Sequence, residues 1–182
     1  MRFPPIETER LVLRAFAPTD WREVLGYMSD PEVTRFLPEG LLDEEGARAF
    51  ADRNAGPEGH AVAVVRRAGG ELIGHMAFHP WFAPRTWEIG WALGRAHQGQ
   101  GYAIEAARAL LALAFGPLEA HRVIATCQPE NPSSWRVAET LGLRREGHFR
   151  QCIVRPDGSW WDEYFYALLA EEYGLGSGRR SR

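Results

Sequence analysis

Lysine is absent: every one of the 21 cationic residues in this 182-residue chain is arginine. That excludes any chemistry dependent on a lysine of the chain itself, including the GxxxxGK[ST] phosphate loop. Cysteine is almost as scarce. Cys127 and Cys152 lie far apart without a C-x-x-C spacing, which argues against a disulfide framework or a four-cysteine zinc site and for reduced, buried thiols. No run approaches the roughly 20 apolar residues of a membrane span, and "MRFPPIETER" has no apolar centre of a secretory signal. A soluble, cytoplasmic protein with no membrane partner is therefore expected. Positive charge is also in short supply: the net charge of −3 argues against nucleic acid as a partner. There is no G-x-S-x-G elbow to suggest a covalent nucleophile.

What is present is 45% hydrophobic residues, enough for one substantial core. Residues 1–173 read as a single domain, and "GLGSGRRSR", residues 174–182, as a disordered basic tail. "TERLVLRAF" alternates as a first strand, and "PTDWREVLGYMSDPEVTRFL" follows as a helix capped by Thr19 or Asp20. A second helix begins near Asp43, Glu44 and Glu45. From His60 to Leu93 the pattern becomes a strand meander with turns at 67–70 and around Pro84. Helix 102–115, strand 122–127, helix 132–141 and two strands around "RPDGS" complete the order βααβββαβαββ. The expected class is α/β (α+β), with a mixed sheet of about seven strands flanked by helices.

Within "WEIGWAL", Trp87, Ile89, Trp91 and Leu93 occupy one strand face, and Glu88, Gly90 and Ala92 the other. The second face is nearly bare. It can receive a helix, or leave backbone open to a ligand, with Gly90 as the candidate bulge.

Immediately afterwards, "HQGQG" (97–101) opens helix 102–115 without a Ser, Thr, Asp or Asn cap. The first turn of a helix leaves N–H donors unpaired, and its dipole adds roughly half a positive charge there. Gly99 and Gly101 can turn further N–H groups inward. The stretch is thus a candidate anion seat, unless Gln98, Gln100 or Glu105 folds back to cap the turn. The dinucleotide pattern G-x-G-x-x-G/A fails, because the third position is Ile104.

Gln98-Gly99-Gln100-Gly101-Tyr102-Ala103 matches Q/R-x-x-G-x-G/A, the acyl-CoA pattern of the GCN5-related N-acetyltransferases (GNAT). With "TERLVLRAFAPTD", "YMSDPEVTRFL", "WEIGWAL", "ENPSSWRVAETLGLRREG" and "WWDEYFYALL", the chain from about residue 7 to 173 resembles the RimJ/RimL-like branch, which acetylates ribosomal-protein N-termini. The resemblance implies a mostly antiparallel sheet splayed between its fourth strand, 87–93, and its fifth, 122–127. It implies acetyl-CoA as cosubstrate, its pyrophosphate on the N–H groups of residues 99–103 and its pantetheine arm along Trp91, Ala92 and Leu93. Gln98, Gly99, Gln100, Gly101, Tyr102, Ala103, Asn131 and Ser134 complete the expected donor contacts.

Acetyl transfer needs an unprotonated amine, a stabilised oxyanion and a proton for the departing thiolate. At pH 7, deprotonation costs about 4–5 kcal/mol for a lysine-like amine but only about 1–1.5 kcal/mol for a peptide α-amine. Glu88, on the bare face and similar to the strand glutamate of several superfamily members, is the expected base. Asp162 and Glu163 are rivals, of which strand parity lets only one face the site. A backbone N–H near Trp91 or Ala92 would meet the oxyanion. Asn131, Pro132 and Gly142 have a purely structural explanation as helix cap, first turn and end. Where many family members place a proton-donating tyrosine this chain has Trp135, which leaves Ser134 as the expected donor. His75, His79 and His97 suggest no third ligand by spacing, so no metal is expected.

The acceptor is expected to be a protein N-terminal α-amine. A small-molecule amine (polyamine, amino acid or antibiotic) and a non-catalytic acyl-CoA sensor remain alternatives. The aromatic C-terminal hairpin is compatible with a homodimer.

Overall fold

The computed structural model describes residues 4–56, 58–82, 84–155 and 157–177. Its eight strands form the order β1-β2-β3-β4-β5-β6-β8-β7. Contacts group the chain into two compact units: residues 1–79 with 90–109, and residues 80–89 with 110–182. Strand β5 (Thr86–Leu93) and helix α4 (Tyr102–Phe115) each contribute to both.

In the first unit, β1 (Ile6–Glu7), β2 (Leu11–Arg14), β3 (Ala61–Arg66) and β4 (Leu72–Pro80) pair antiparallel in sequence. The expected opening helix is interrupted: α1 (Trp21–Met28) ends before Asp30, whose carboxylate accepts the Glu32 N–H and caps α2 (Pro31–Thr34). Pro31 restricts the residue before it to extended backbone, which breaks the helix there. Asp20 stands at the cap position of α1, yet its carboxylate turns back to the Ala17 N–H and a bidentate pair with Arg14. Asp43 caps α3 (Glu44–Ala55) through the Gly46 N–H at 2.8 Å. These helices bury Val24, Tyr27, Met28 and Phe50 with Phe16, just after β2, and Val65 of β3.

In the second unit, β5 pairs in parallel with β6 (Arg122–Cys127) through Thr86↔Arg122, Trp87↔Val123 and Glu88↔Ile124. That ladder stops at Glu88, the third of the eight residues of β5. Strand β8 (Trp160–Leu169) runs antiparallel to both β6 and β7 (Arg144–Val154). Helix α5 (Pro132–Thr140) begins at Asn131 and ends on Gly142, whose φ of +89° suits the left-handed turn that closes a helix. The expected α/β class with a mixed, mostly antiparallel sheet is what the chain adopts; β1 raises the strand count from about seven to eight. Helix α6 (Ala170–Ser177) continues past residue 173, and residues 178–182 of the expected tail lie outside the described residues. Among the described residues, no helix is long and apolar enough to cross a membrane.

Candidate active site

The loop 97–101 lies in the first unit. Gly99 and Gly101 adopt φ of +72° and +80°, which a side chain would strain. Gln98 donates its side-chain amide to the Leu93 carbonyl at 2.9 Å, and Gln100 donates to the Ala96 carbonyl at 2.7 Å. The Glu105 carboxylate takes bonds from Thr8 and Arg10. Gln98 and Gln100 are held by their amide N–H groups and Glu105 by its carboxylate. Among the described residues, no acceptor is found for the backbone N–H groups of residues 99–104; the first such bond in α4 runs from Glu105 to the Gly101 carbonyl. Exposed glycines beside free N–H groups at a helix's positive end fit a diphosphate.

Upstream, the expected face alternation of β5 holds from Trp87 to Gly90 and is then lost: Trp91 is half-buried, and Ala92 and Leu93 are both buried. The backbone of β4 comes close to β5 at this point of the first unit. A Cβ on Gly74 would lie 2.2 Å from the Ala92 carbonyl oxygen, so only glycine admits this backbone. A Cβ on Gly90 would lie 3.3 Å from that of Ala77, which makes Gly90 a packing choice. The indole N–H of Trp91 is buried without a partner. Gly74 escaped the sequence reading, since nothing in "LIGHMAF" shows which backbone it meets.

In the second unit, Asn131 fills the role that helix capping alone predicts: its side chain accepts from the Ser134 N–H and the Ser133 hydroxyl. The Ser134 hydroxyl is bonded to the Cys127 thiol. Burial pushes that thiol up to about 11 despite the bond, and the charges of Glu163 and Glu139 act in the same direction. Cys127 is therefore an inert buried thiol; Cys152, expected to be buried too, is exposed on β7 because the strand there lies at the sheet edge. Trp135 donates its indole N–H to the Pro129 carbonyl. Tyr166, fully buried, donates to Glu139 at 3.1 Å, and burial pushes its phenol up to about 12.

The two rival carboxylates separate as strand parity requires. Asp162 accepts from the Gln151 N–H and faces His148 Nε2 at 2.7 Å, and these bonds hold its carboxyl below the usual range. Glu163, half-buried, is raised by burial although the Thr126 side chain bonds to it. Thr126 pairs with Phe165 and Ile124 with Ala167, while Glu88 pairs with Ile124. Alternation therefore puts Glu88, Ile124, Thr126 and Glu163 on one face, and Cys127, bonded to Ser134, on the other. The sheet brings Glu88 and Glu163 to a common face.

The histidines have other partners. His75 is buried against the Tyr27 hydroxyl at 2.8 Å and driven down to about 4 by burial; His79 stacks on His60, and His97 lies 3.3 Å from Glu71. Among the described residues, no group of three or more His, Cys, Asp or Glu could hold a metal ion.

Comparison with known proteins agrees with this chemistry. The family model "Acetyltransferase (GNAT) domain" matches residues 10–144, running through both units. The Bacillus subtilis (strain 168) protein described as "Uncharacterized N-acetyltransferase YnaD" is 47% identical over 169 residues, covering 92% of this chain and 98% of its own. The crystal structure of a GNAT-family acetyltransferase from Bacillus anthracis superposes with a TM-score of 0.89 at 44% identity, over 93% of this chain and 100% of that one. The ribosomal-protein-serine acetyltransferase of Escherichia coli (strain K12) is 32% identical over 138 residues, 75% of this chain and 76% of its own. The chain belongs to the GNAT family of acetyltransferases and is an N-acetyltransferase, of the kind that draws its acetyl group from acetyl-CoA.

Proposed function

We propose that the enzyme transfers acetyl directly from acetyl-CoA to the α-amine of a protein N-terminus, of the kind found on ribosomal proteins, with residues 1–173 acting as one acetyltransferase domain. The observation that carries the donor half is the row of unpaired N–H groups at residues 99–104. Gly99, Gly101, Tyr102 and Ala103 serve the diphosphate through their backbone. Gln98 and Gln100 hold the loop's shape through the Leu93 and Ala96 carbonyls, while the backbone of Trp91, Ala92 and Leu93 lies along the pantetheine arm. Asn131, the cap of α5, is a further side chain for donor contact.

For the acceptor half, an α-amine asks little of a base, since about one in ten such groups is already neutral near pH 7. Glu88 takes the amine proton, with Glu163 as the second candidate on the same face; the raised carboxyl of Glu163 suits general-base work, whereas Asp162 is consumed by His148 and Gln151. Ser134 supplies the proton for the thiolate from its place beside Cys127. The oxyanion meets a backbone N–H of Trp91 or Ala92. The enzyme acts in the cytoplasm and pairs as a homodimer, for which the exposed Phe82, Phe149, Val154 and Trp160 of the second unit supply apolar surface.

A thiol-release assay over N-terminal peptides, polyamines, amino acids and aminoglycosides tests this reading. CoA release is expected with peptides bearing a free α-amine. Turnover confined to a small amine would overturn the acceptor assignment, and donor binding without release for any amine would mark a sensor.

A further inference from the structure

The segment "TER", residues 8–10, has no part in the chemistry above, yet it is bonded to the first turn of α4. Thr8 donates its hydroxyl to Glu105 Oε1 at 2.6 Å. The Arg10 backbone N–H donates to the same oxygen at 2.8 Å, and Arg10 Nε to Oε2 at 2.6 Å. A second arm of the Arg10 guanidinium donates to the Gln100 carbonyl at 3.0 Å, and its carbon sits 4.4 Å from the centre of the Tyr102 ring. One side chain thus touches the residue before Gly101, the residue after it and the acid of the first helical turn.

Glu105 is the reason this matters. A carboxylate in the first turn is attracted to the unpaired N–H groups and positive dipole of its own helix. It is a built-in anion that competes with an external one for the same seat, and repels it. Here that carboxylate is only 16% exposed and is saturated by Thr8 and Arg10. Burial pushes Glu105 up, but the bonds from Thr8 and Arg10 outweigh it and hold the carboxyl below its usual range.

We propose that Arg10 is a positioning residue for donor binding: by drawing Glu105 onto the Thr8–Arg10 corner and holding the Gln100 carbonyl, it keeps the N-terminus of α4 open to the diphosphate of acetyl-CoA. The proposal rests on the reading of loop 97–103 as the donor seat. It is specific to the phosphates, because acetyl-pantetheine, which lacks the diphosphate, does not use that seat.

The experiment is steady-state kinetics with acetyl-CoA and with acetyl-pantetheine on the wild type, Arg10→Met, Glu105→Gln and the double variant, each checked for folding by thermal melting. Arg10→Met is expected to raise KM for acetyl-CoA by about tenfold while leaving kcat and the KM for acetyl-pantetheine near wild type. Glu105→Gln, which removes the competing charge without touching Arg10, should not raise KM for acetyl-CoA, and adding it to Arg10→Met should restore most of the loss. Three results would overturn the proposal: an unchanged KM in Arg10→Met, equal losses with both donors, or a double variant no better than the single one. Should Arg10→Met fail to fold, a tenfold rise in Glu105→Gln would be the contradicting result. A wild type that uses both donors with equal KM would instead overturn the donor-seat reading itself.

Discussion

The loop 97–104 of the first unit, proposed as the donor seat, and the Glu163–Thr126 neighbourhood of the second are built in opposite ways. At 97–104 the useful groups are backbone N–H donors, and side chains contribute by staying out of the way: Gln98, Gln100 and Glu105 are each tied to another part of the unit. Around Glu163 the useful groups are side chains, and their character comes from burial and from which strand face they occupy. A backbone seat should fail in affinity when its shape is disturbed. A side-chain site should fail in rate when a functional atom is removed.

The largest expected effect comes from disturbing the frame beneath the loop. Gly74→Ala drives a methyl against the Ala92 carbonyl, so urea unfolding should report a loss of about 3 kcal/mol, toward the upper end of overpacking costs. A loss under about 1 kcal/mol would mean that β4 and β5 can part without strain. Next is acidification. His75 has a folded pKa of about 4 against an ordinary 6.5, so its contribution is fully present above pH 6.5 and is lost as pH falls toward 4. Stability should decline by up to about 3 kcal/mol over that window, and His75→Gln should flatten the decline if it folds. Equal pH dependence in both proteins would show that other groups dominate.

On the catalytic side, Glu88→Gln is expected to lower kcat by about a hundredfold with little change in KM for acetyl-CoA. Glu163 is raised by burial, so an acid limb of the wild-type rate above the ordinary glutamate range that is lost in Glu163→Gln would point to Glu163. In that case Glu163 is the base and Glu88 a neighbour. The smallest effect is expected at the cap: Asn131→Ala should cost about 1 kcal/mol of stability. A larger rise in KM for acetyl-CoA than that cost explains would show Asn131 touching the donor.

Much of the frame was legible in the sequence. Helix 102–115 and strand 122–127 coincide with α4 and β6, because an uncapped glycine entry and a short β-branched run each admit little else. Pro31 carried its signal openly, yet the long apolar pattern around it concealed the break between α1 and α2. For the site, period-two alternation foretold that Asp162 and Glu163 would part. It could not show that Gln151, at φ +49° in the irregular stretch of β7, offers its N–H to Asp162 and leaves Glu163 to β6. Likewise the pattern marks the two glutamines of the loop, but not that their side chains bond the Leu93 and Ala96 carbonyls, which depends on how the chain turns at residues 95–97. Long-range partners such as Arg10 with Glu105, 95 residues apart, leave no local trace.

The most direct test compares Gly101→Val with Glu88→Gln in one assay, reading KM for acetyl-CoA and kcat separately. Gly101 holds φ +80° at the mouth of α4, so its variant should raise KM for acetyl-CoA by about tenfold or more with kcat nearly retained, while Glu88→Gln does the reverse. If Gly101→Val binds and uses acetyl-CoA as well as the wild type does, the backbone of this loop is not the donor's seat.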